Sequence, residues 1–327
     1  MNQQFSTTAV PLVSADVPVS AQGTKFTDTF DIDQESHRLY YGDNWAGGID
    51  VFDISSPKAK YLQTIRLRGG IYGVGVAKNV GKLFVGLTGS LVAIIDIDPA
   101  SRTVNTVIRQ VDTGGRGAAD LLDYDTVHKK LYAANRNDGF MAAIDGVKDS
   151  LVARTEGLGG GLEQPRFNPV DGMIYLAGNT DSVLYQIDPV TDKLVKTFKL
   201  DVDCRPNGMA INPNTNQALL MTANREHPQT VLWDFKQQRV LSVFDQVGSG
   251  DGAIYSSKVD KFLIAASGDS SGPVVGILSG NPVRLLRKVP TGRTGSWVGL
   301  DETNLVVYVP TIQDGRPALT GFALPKD

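Results

Sequence analysis

The sequence predicts an all-β chain folded as a seven-bladed β-propeller with four-stranded blades. Three observations lead there. A short core of the type "K/H-x-L-Y/F-V/A" recurs seven times, 43 to 48 residues apart. Short β-rich runs, punctuated by Gly, Asn, Asp and Ser, fill each interval. No long segment carries apolar residues at helical spacing.

The seven cores are "HRLYYGDN" (37–44), "GKLFVGLT" (81–88), "KKLYAANR" (129–136), "GMIYLAGN" (172–179), "QALLMTAN" (217–224), "KFLIAASG" (261–268) and "NLVVYVPT" (304–311). Their apolar anchors are read as Leu39, Leu83, Leu131, Ile174, Leu219, Phe262 and Leu305. A short run with a polar turn precedes each core, as in "TFDIDQES" and "MAINPNTN". A third run follows, often closing on Asp, as in "IDVFDI" and "VAIIDI". In the first six repeats a fourth run appears, as in "KYLQTIRL" and "KLVKTFKL". Four strands at a period of about 44 are the pattern of a propeller blade.

The seventh repeat stops after its third strand, at "ALTGFALP". The N-terminal "STTAVPLVSADVPVS" has the outer-strand pattern but no blade of its own. A strand at about residues 7–20 is therefore expected to complete blade seven and close the ring, making 1–327 one domain. Blades closed in this way need no partner chain, so a monomer is expected.

The net charge of −3 argues against a general nucleic-acid surface, which needs clustered Lys and Arg. No apolar run approaches the roughly 20 residues that span a bilayer. The N-terminus lacks a basic stretch followed by an apolar one, so no signal peptide is read; a cytoplasmic chain, or a periplasmic or secreted one whose signal has been removed, is expected. Cys204 is the single cysteine, which rules out an intrachain disulfide. "GLGGGL" lacks the third glycine of a dinucleotide fingerprint and no helix follows, and no haem signal is read.

The phrasing "LYAAN…AAID…V…T", with "R-P-x-G-x-A-x-x-P" before the next blade, resembles the YVTN-type repeat propellers, a family that includes surface-layer, periplasmic and lactonase-like proteins. The resemblance covers nearly the whole chain and implies the architecture rather than an activity.

In such a ring the first strand of each blade lines a central channel. The connections into that strand, and those between strands two and three, open on one face, where a ligand funnel is expected. Just before the first strands stand Asp28, Tyr72, Asp120, Glu163 with Gln164, Asn207, Asp251 and Ser296, with Arg116, Arg205 and Arg293 upstream. The second loop set supplies Asn44, Trp45, Asn135, Arg136, Asn179, Asn224, Arg225, His227 and Asp269. The ligand-binding candidates are Trp45, Tyr72, Arg116, Asn135, Arg136, Asn179, Arg205, Asn224 and Arg225.

Carboxylates held together at a channel mouth repel unless they are protonated, paired or bound to a cation. Asp28, Glu163, Asn207 and Asp251 offer the hard oxygen set that Ca²⁺ or Mg²⁺ prefers. "RPNGMAI" and "SGDGAIY" resemble segments of the gluconolactonase and senescence-marker-protein propellers. That resemblance implies a divalent cation held by Asn207 and Asp251, with Asp28 where those proteins have Glu. Those propellers have six blades, however, and an extra blade changes which positions face each other. With a metal, Asp251 or Asp120 would take a proton from water, and His227 is the histidine placed for acid–base work.

Two readings stay open. The chain is a propeller that binds a small molecule or peptide in its polar funnel, or a divalent-metal-dependent lactone or ester hydrolase or lyase using the same funnel. Asn207 also reads as a turn residue before Gly208. Asp28, Glu163 and Asp251 also fit blade-to-blade bridges or caps. Asp53, Asp96, Asp145, Asp188 and Asp234, repeated at the end of strand three, are expected to be turn caps. His37 and His128 are expected in turns on the opposite face.

Overall fold

Each blade enters its second strand through the same backbone device. His37, Gly81, Lys129, Gly172, Asn216, Asp260 and Leu305 all adopt positive φ, between 48° and 73°. Each immediately precedes a second strand, from Arg38–Asp43 in blade 1 to Val306–Gln313 in blade 7. A left-handed residue there lets the chain reverse within a tight hairpin, at a steric cost where the residue is not Gly or Asn. The end of the first strand is capped as well. Asp33, Asp125, Asn168, Asn212 and Asp301 each accept backbone N–H bonds from the turn that follows. The expected caps after strand three are present in the same form: Asp53, Asp96, Asp145, Asp188 and Asp234 each accept from a backbone N–H two or three residues on.

The computed structural model describes residues 13–16, 27–292, 295–313 and 316–325. These form seven antiparallel four-stranded sheets in a ring. The first strands are Thr27–Asp33, Ile71–Ala77, Leu122–Asp125, Leu162–Asn168, Pro206–Asn212, Ala253–Ser256 and Gly299–Asp301. The ring closes as expected: Val13–Asp16 pairs with Arg316–Ala323 as the outermost strand of blade 7, with Val13 opposite Gly321 and Asp16 opposite Ala318. The remainder of the stretch expected to be a strand lies outside the described residues. Among the described residues no helix is long and apolar enough to cross a membrane.

The core is divided into seven apolar clusters, each between two successive blades. Successive side chains on a strand point to opposite faces, so every middle strand feeds two clusters. Ala218 packs toward blade 4, with Tyr175 and Leu184, whereas Leu219 packs toward blade 6, with Phe262 and Ile264. This corrects two anchors. The residues equivalent to Leu39 and Leu83 are Ala218 and Val307, not Leu219 and Leu305. "ALLM" has apolar side chains on both faces, so its register is not readable from one strand. Leu305 is the left-handed turn residue and is 38% exposed.

Candidate functional site at one mouth of the channel

Asn207 is not a turn residue. Neither Asn207 nor Gly208 has a positive φ, and both lie within the strand Pro206–Asn212. Pairing shifts there by one residue: Pro206 faces Thr222 and Met209 faces Leu220, so 207 and 208 together oppose Met221. Blades 1, 2 and 4 shift at the equivalent place, putting 28–29, 72–73 and 163–164 in the same bulge. A bulge kinks the strand and re-aims its side chains. Positions 28, 72, 163 and 207 thus share one backbone feature. Gly208 serves close approach rather than a turn. A Cβ there would lie 2.1 Å from the Asp251 carbonyl oxygen of blade 6. Gly208→Ala is expected to cost about 3 kcal/mol, as overpacking against backbone does, measured by urea unfolding; a cost below about 1 kcal/mol would show that the two blades separate freely.

At this mouth six side chains form one continuous polar chain across blades 3 to 6. Arg136 Nη1 lies 3.9 Å from Asp120 Oδ2, and its Nη2 2.8 Å from Glu163 Oε1. Asn179 Nδ2 donates to Glu163 Oε1 at 2.8 Å and to Asn207 Oδ1 at 2.9 Å. Asn207 Nδ2 donates to Asp251 Oδ1 at 2.6 Å. Glu163 is 2% exposed while the Arg136 side chain is 41% exposed, so the chain runs from the interior to solvent. Burial pushes the Asp120 carboxyl up to about 6, with Arg136 opposing and the nearby Asp251 charge reinforcing the rise. Burial raises Asp251 too, against the Asn207 hydrogen bond and the positive charges of Arg136 and Arg225.

Asp120, Arg136, Glu163, Asn179, Asn207 and Asp251 are therefore brought together as expected. Others of the expected set are not. Asn135 is fully buried, its Oδ1 accepting from Ser90 at 2.5 Å and Thr113 at 2.9 Å. Asn44, outside the ligand set but in the same loops, clamps Ile71 of the next blade through both its N–H and C=O. Asn224 caps its own loop at Glu226 and His227. Asn44 thus holds backbone, Asn135 is held by neighbouring hydroxyls, and the Asn224 carbonyl oxygen is occupied by its own loop. Arg116, Arg225 and His227 are exposed, and Arg205 pairs with Asp203 across solvent; exposure removes His227 from any enclosed acid–base role. Tyr72 and Trp45 are half-buried at this face, and Trp45 Nε1 has no hydrogen-bond partner among the described residues. Asp28 lies on the strand Thr27–Asp33, but its side chain and Arg293 fall outside the described residues. Cys204 is buried and its thiol is pushed up to about 12, which leaves it inert.

Of the expected metal set, the structure describes the side chains of Glu163, Asn207 and Asp251. Among the described residues no group of three or more His, Cys, Asp or Glu side chains is placed to hold an ion. Glu163, Asn207 and Asp251 are separated by amide donors, and a guanidinium already supplies the positive charge.

No protein-family model matches the sequence, and no curated protein matches it. Solved structures do match. A chain from the crystal structure of a mitotic checkpoint complex aligns with a TM-score of 0.75 at 14% identity, covering 99% of this chain and 94% of that one. A chain of Kuenenia stuttgartiensis hydrazine synthase aligns at 0.73 and 14% identity, covering 96% and 100%. Such similarity establishes the propeller fold alone.

Space also lies in the channel away from the mouth. A cavity of about 500 Å³ occupies the channel nearer the opposite face, rimmed by residues of the first hairpin turns such as Gln34, Pro169, Pro213 and Glu302. None of the expected ligand residues lines it. Asp31, Asp123 and Arg166 do. Their signal in the sequence was a charge inside a first strand, in "TFDID", "LLDYD" and "QPRFN". They sit about three residues beyond the mouth positions, roughly 10 Å along the strand.

Proposed function

We propose that the chain is a small-molecule-binding propeller that recognises its ligand at the mouth formed by Asp120, Arg136, Glu163, Asn179, Asn207 and Asp251. The observation that carries this reading is the continuous hydrogen-bonded chain of donors and acceptors drawn from four blades. Each member is held by its neighbour, so little side-chain freedom is lost on binding. Arg136 at its solvent edge offers guanidinium N–H groups to an arriving polar ligand. The half-buried Trp45 and Tyr72 provide flat surface at the same face.

A calorimetric screen of small polyols, lactones, amino acids and short peptides tests this. Arg136→Ala and Asn207→Ala are each expected to weaken a hit at least tenfold. Equal affinity in both variants would remove the mouth as the site.

Lactone or ester hydrolysis is the second reading, favoured by the raised Asp120 carboxyl. A group titrating near 6 can accept a proton close to neutrality. The same panel followed for turnover, with and without Ca²⁺ or Mg²⁺, decides it. Activity is expected to be lost in Asp120→Asn and to fall as pH drops through about 6 in the parent. Binding without turnover under either condition leaves a binding protein.

A further inference from the structure

The first strands pack on both neighbouring blades and are mostly apolar. At one equivalent position, blades 1, 3 and 4 carry Asp31, Asp123 and Arg166 instead, where blades 2, 5 and 6 have Gly75, Ala210 and Ile254. Asp123 and Arg166 answer each other. Arg166 Nη1 donates to Asp123 Oδ1 at 3.1 Å, its Nε to the Met209 carbonyl at 2.9 Å, and its Nη2 to the Ala253 carbonyl at 3.4 Å. All three guanidinium nitrogens are engaged. Asp31 has no such answer. Its oxygens accept the backbone N–H groups of Val76 and Ile32, both at 2.8 Å, and among the described residues no ion pair reaches it. Around it the cavity wall is apolar and aromatic, with Phe30, Val76, Leu122, Tyr124, Ile254 and Tyr255.

We propose that this cavity binds a small organic cation, an ammonium group on an apolar body, with Asp31 as its counter-ion. The site is separate from the mouth, and the inference does not rest on the function proposed there. An anion entering here meets Asp31 and, at the rim, Glu302, while the one lining guanidinium is already paired. A neutral guest leaves Asp31 uncompensated. An ammonium group removes that cost and sits among aromatic rings whose faces attract cations. A volume of about 500 Å³ falls within the usual range for small-ligand cavities.

Burial pushes the Asp31 carboxyl up to about 6, moderated by its two backbone hydrogen bonds and by the Arg166 charge. The other charged groups facing it are Asp123, the Asp33–Lys78 pair at the rim, Glu35 and Glu302. Cation binding therefore strengthens as pH rises through about 6 and Asp31 ionises.

The test is titration of the intact chain with benzylammonium, benzyl alcohol and benzoate by calorimetry, above and below that pH. One benzylammonium per chain is expected. Its affinity should fall at least tenfold below about pH 5, with benzyl alcohol at least tenfold weaker and benzoate silent. Asp31→Asn should abolish the preference for the cation. Because Asn cannot accept both backbone bonds, Ile254→Trp gives an independent check. It fills the cavity, leaves Asp31 intact, and should also remove binding. Benzoate binding as well as benzylammonium, full affinity in Ile254→Trp, or no benzylammonium binding at millimolar concentration would each overturn the proposal. Loss of mouth ligands in Asn207→Ala with benzylammonium binding intact would confirm that the two sites are separate.

Discussion

Arg166→Met is expected to destabilise the chain by about 3 kcal/mol, the usual cost of leaving one charge of an enclosed pair alone. Arg166 ties together four blades: its own, Asp123 of blade 3, the Met209 carbonyl of blade 5 and the Ala253 carbonyl of blade 6. Methionine fills similar volume but removes the Arg166 donors from two carbonyls and leaves Asp123 with the Phe167 backbone N–H and no cation. Burial already raises the Asp123 carboxyl, and Arg166 is the first influence opposing that rise. Adding Asp123→Asn to Arg166→Met should therefore recover a large part of the loss. Urea unfolding of both single variants and the double variant measures the coupling. A single-variant cost within about 1 kcal/mol of zero, or strict additivity, would show that the pair contributes only packing.

Stability is also expected to fall as pH rises from about 4 into the alkaline range, and Asp50→Asn should remove a large part of that dependence. Asp43 and Asp50 are fully buried on neighbouring strands of blade 1, and the Oδ2 atom of each has no hydrogen-bond partner among the described residues. Asp50 Oδ1 accepts from Thr64 at 2.5 Å, and that hydroxyl lies 2.8 Å from Tyr61 Oη. Such a pair needs a shared proton. Burial pushes the Asp50 carboxyl up to about 8, the Thr64 bond pulls it down, and the Asp43 charge raises it further; Asp43 is raised as well. The folded chain thus keeps a proton that the unfolded chain releases near 4. Stability from this pair is full below about 4 and lost as pH climbs through about 8. Asparagine keeps a donor for Asp43 and an acceptor for Thr64 without ionising. At about pH 9 the variant should exceed the parent by about 3 kcal/mol, at roughly 1.4 kcal/mol per unit of raised pKa with allowance for relaxation. Asp31 and Asp120 act with the same sign near 6. Equal stability differences at acid and alkaline pH would remove the shared proton from the account.

The mouth was legible residue by residue because the repeat is strict there. Counting back from each core places Asp120, Glu163, Asn207 and Asp251 at one level, and the ring brings them together. The bulge that holds Glu163 and Asn207 was not legible, since "PNG" before an apolar alternation matches an Asn-Gly turn equally well. Only the backbone of Asp251 pressing on Gly208 shows why glycine follows Asn207. The loop amides misled because Asn44, Asn135 and Asn224 look like ligands in sequence, yet their partners are backbone or hydroxyl groups of a neighbouring blade or of their own loop. Asp31 and Arg166 were passed over because one charge in an apolar strand has no visible partner until the blades close.

By itself the sequence determined the blade number, the strand order within each blade, the closing strand and the turn caps. Those follow from local periodicity and from side chains that bond to backbone two or three residues away. The tertiary structure alone decided which charges meet, where the cavity opens, and which carboxyls hold protons. Those depend on side chains that different strands and blades bring together, as with Asp123 and Arg166 or Asn207 and Asp251, and on how far each is removed from water.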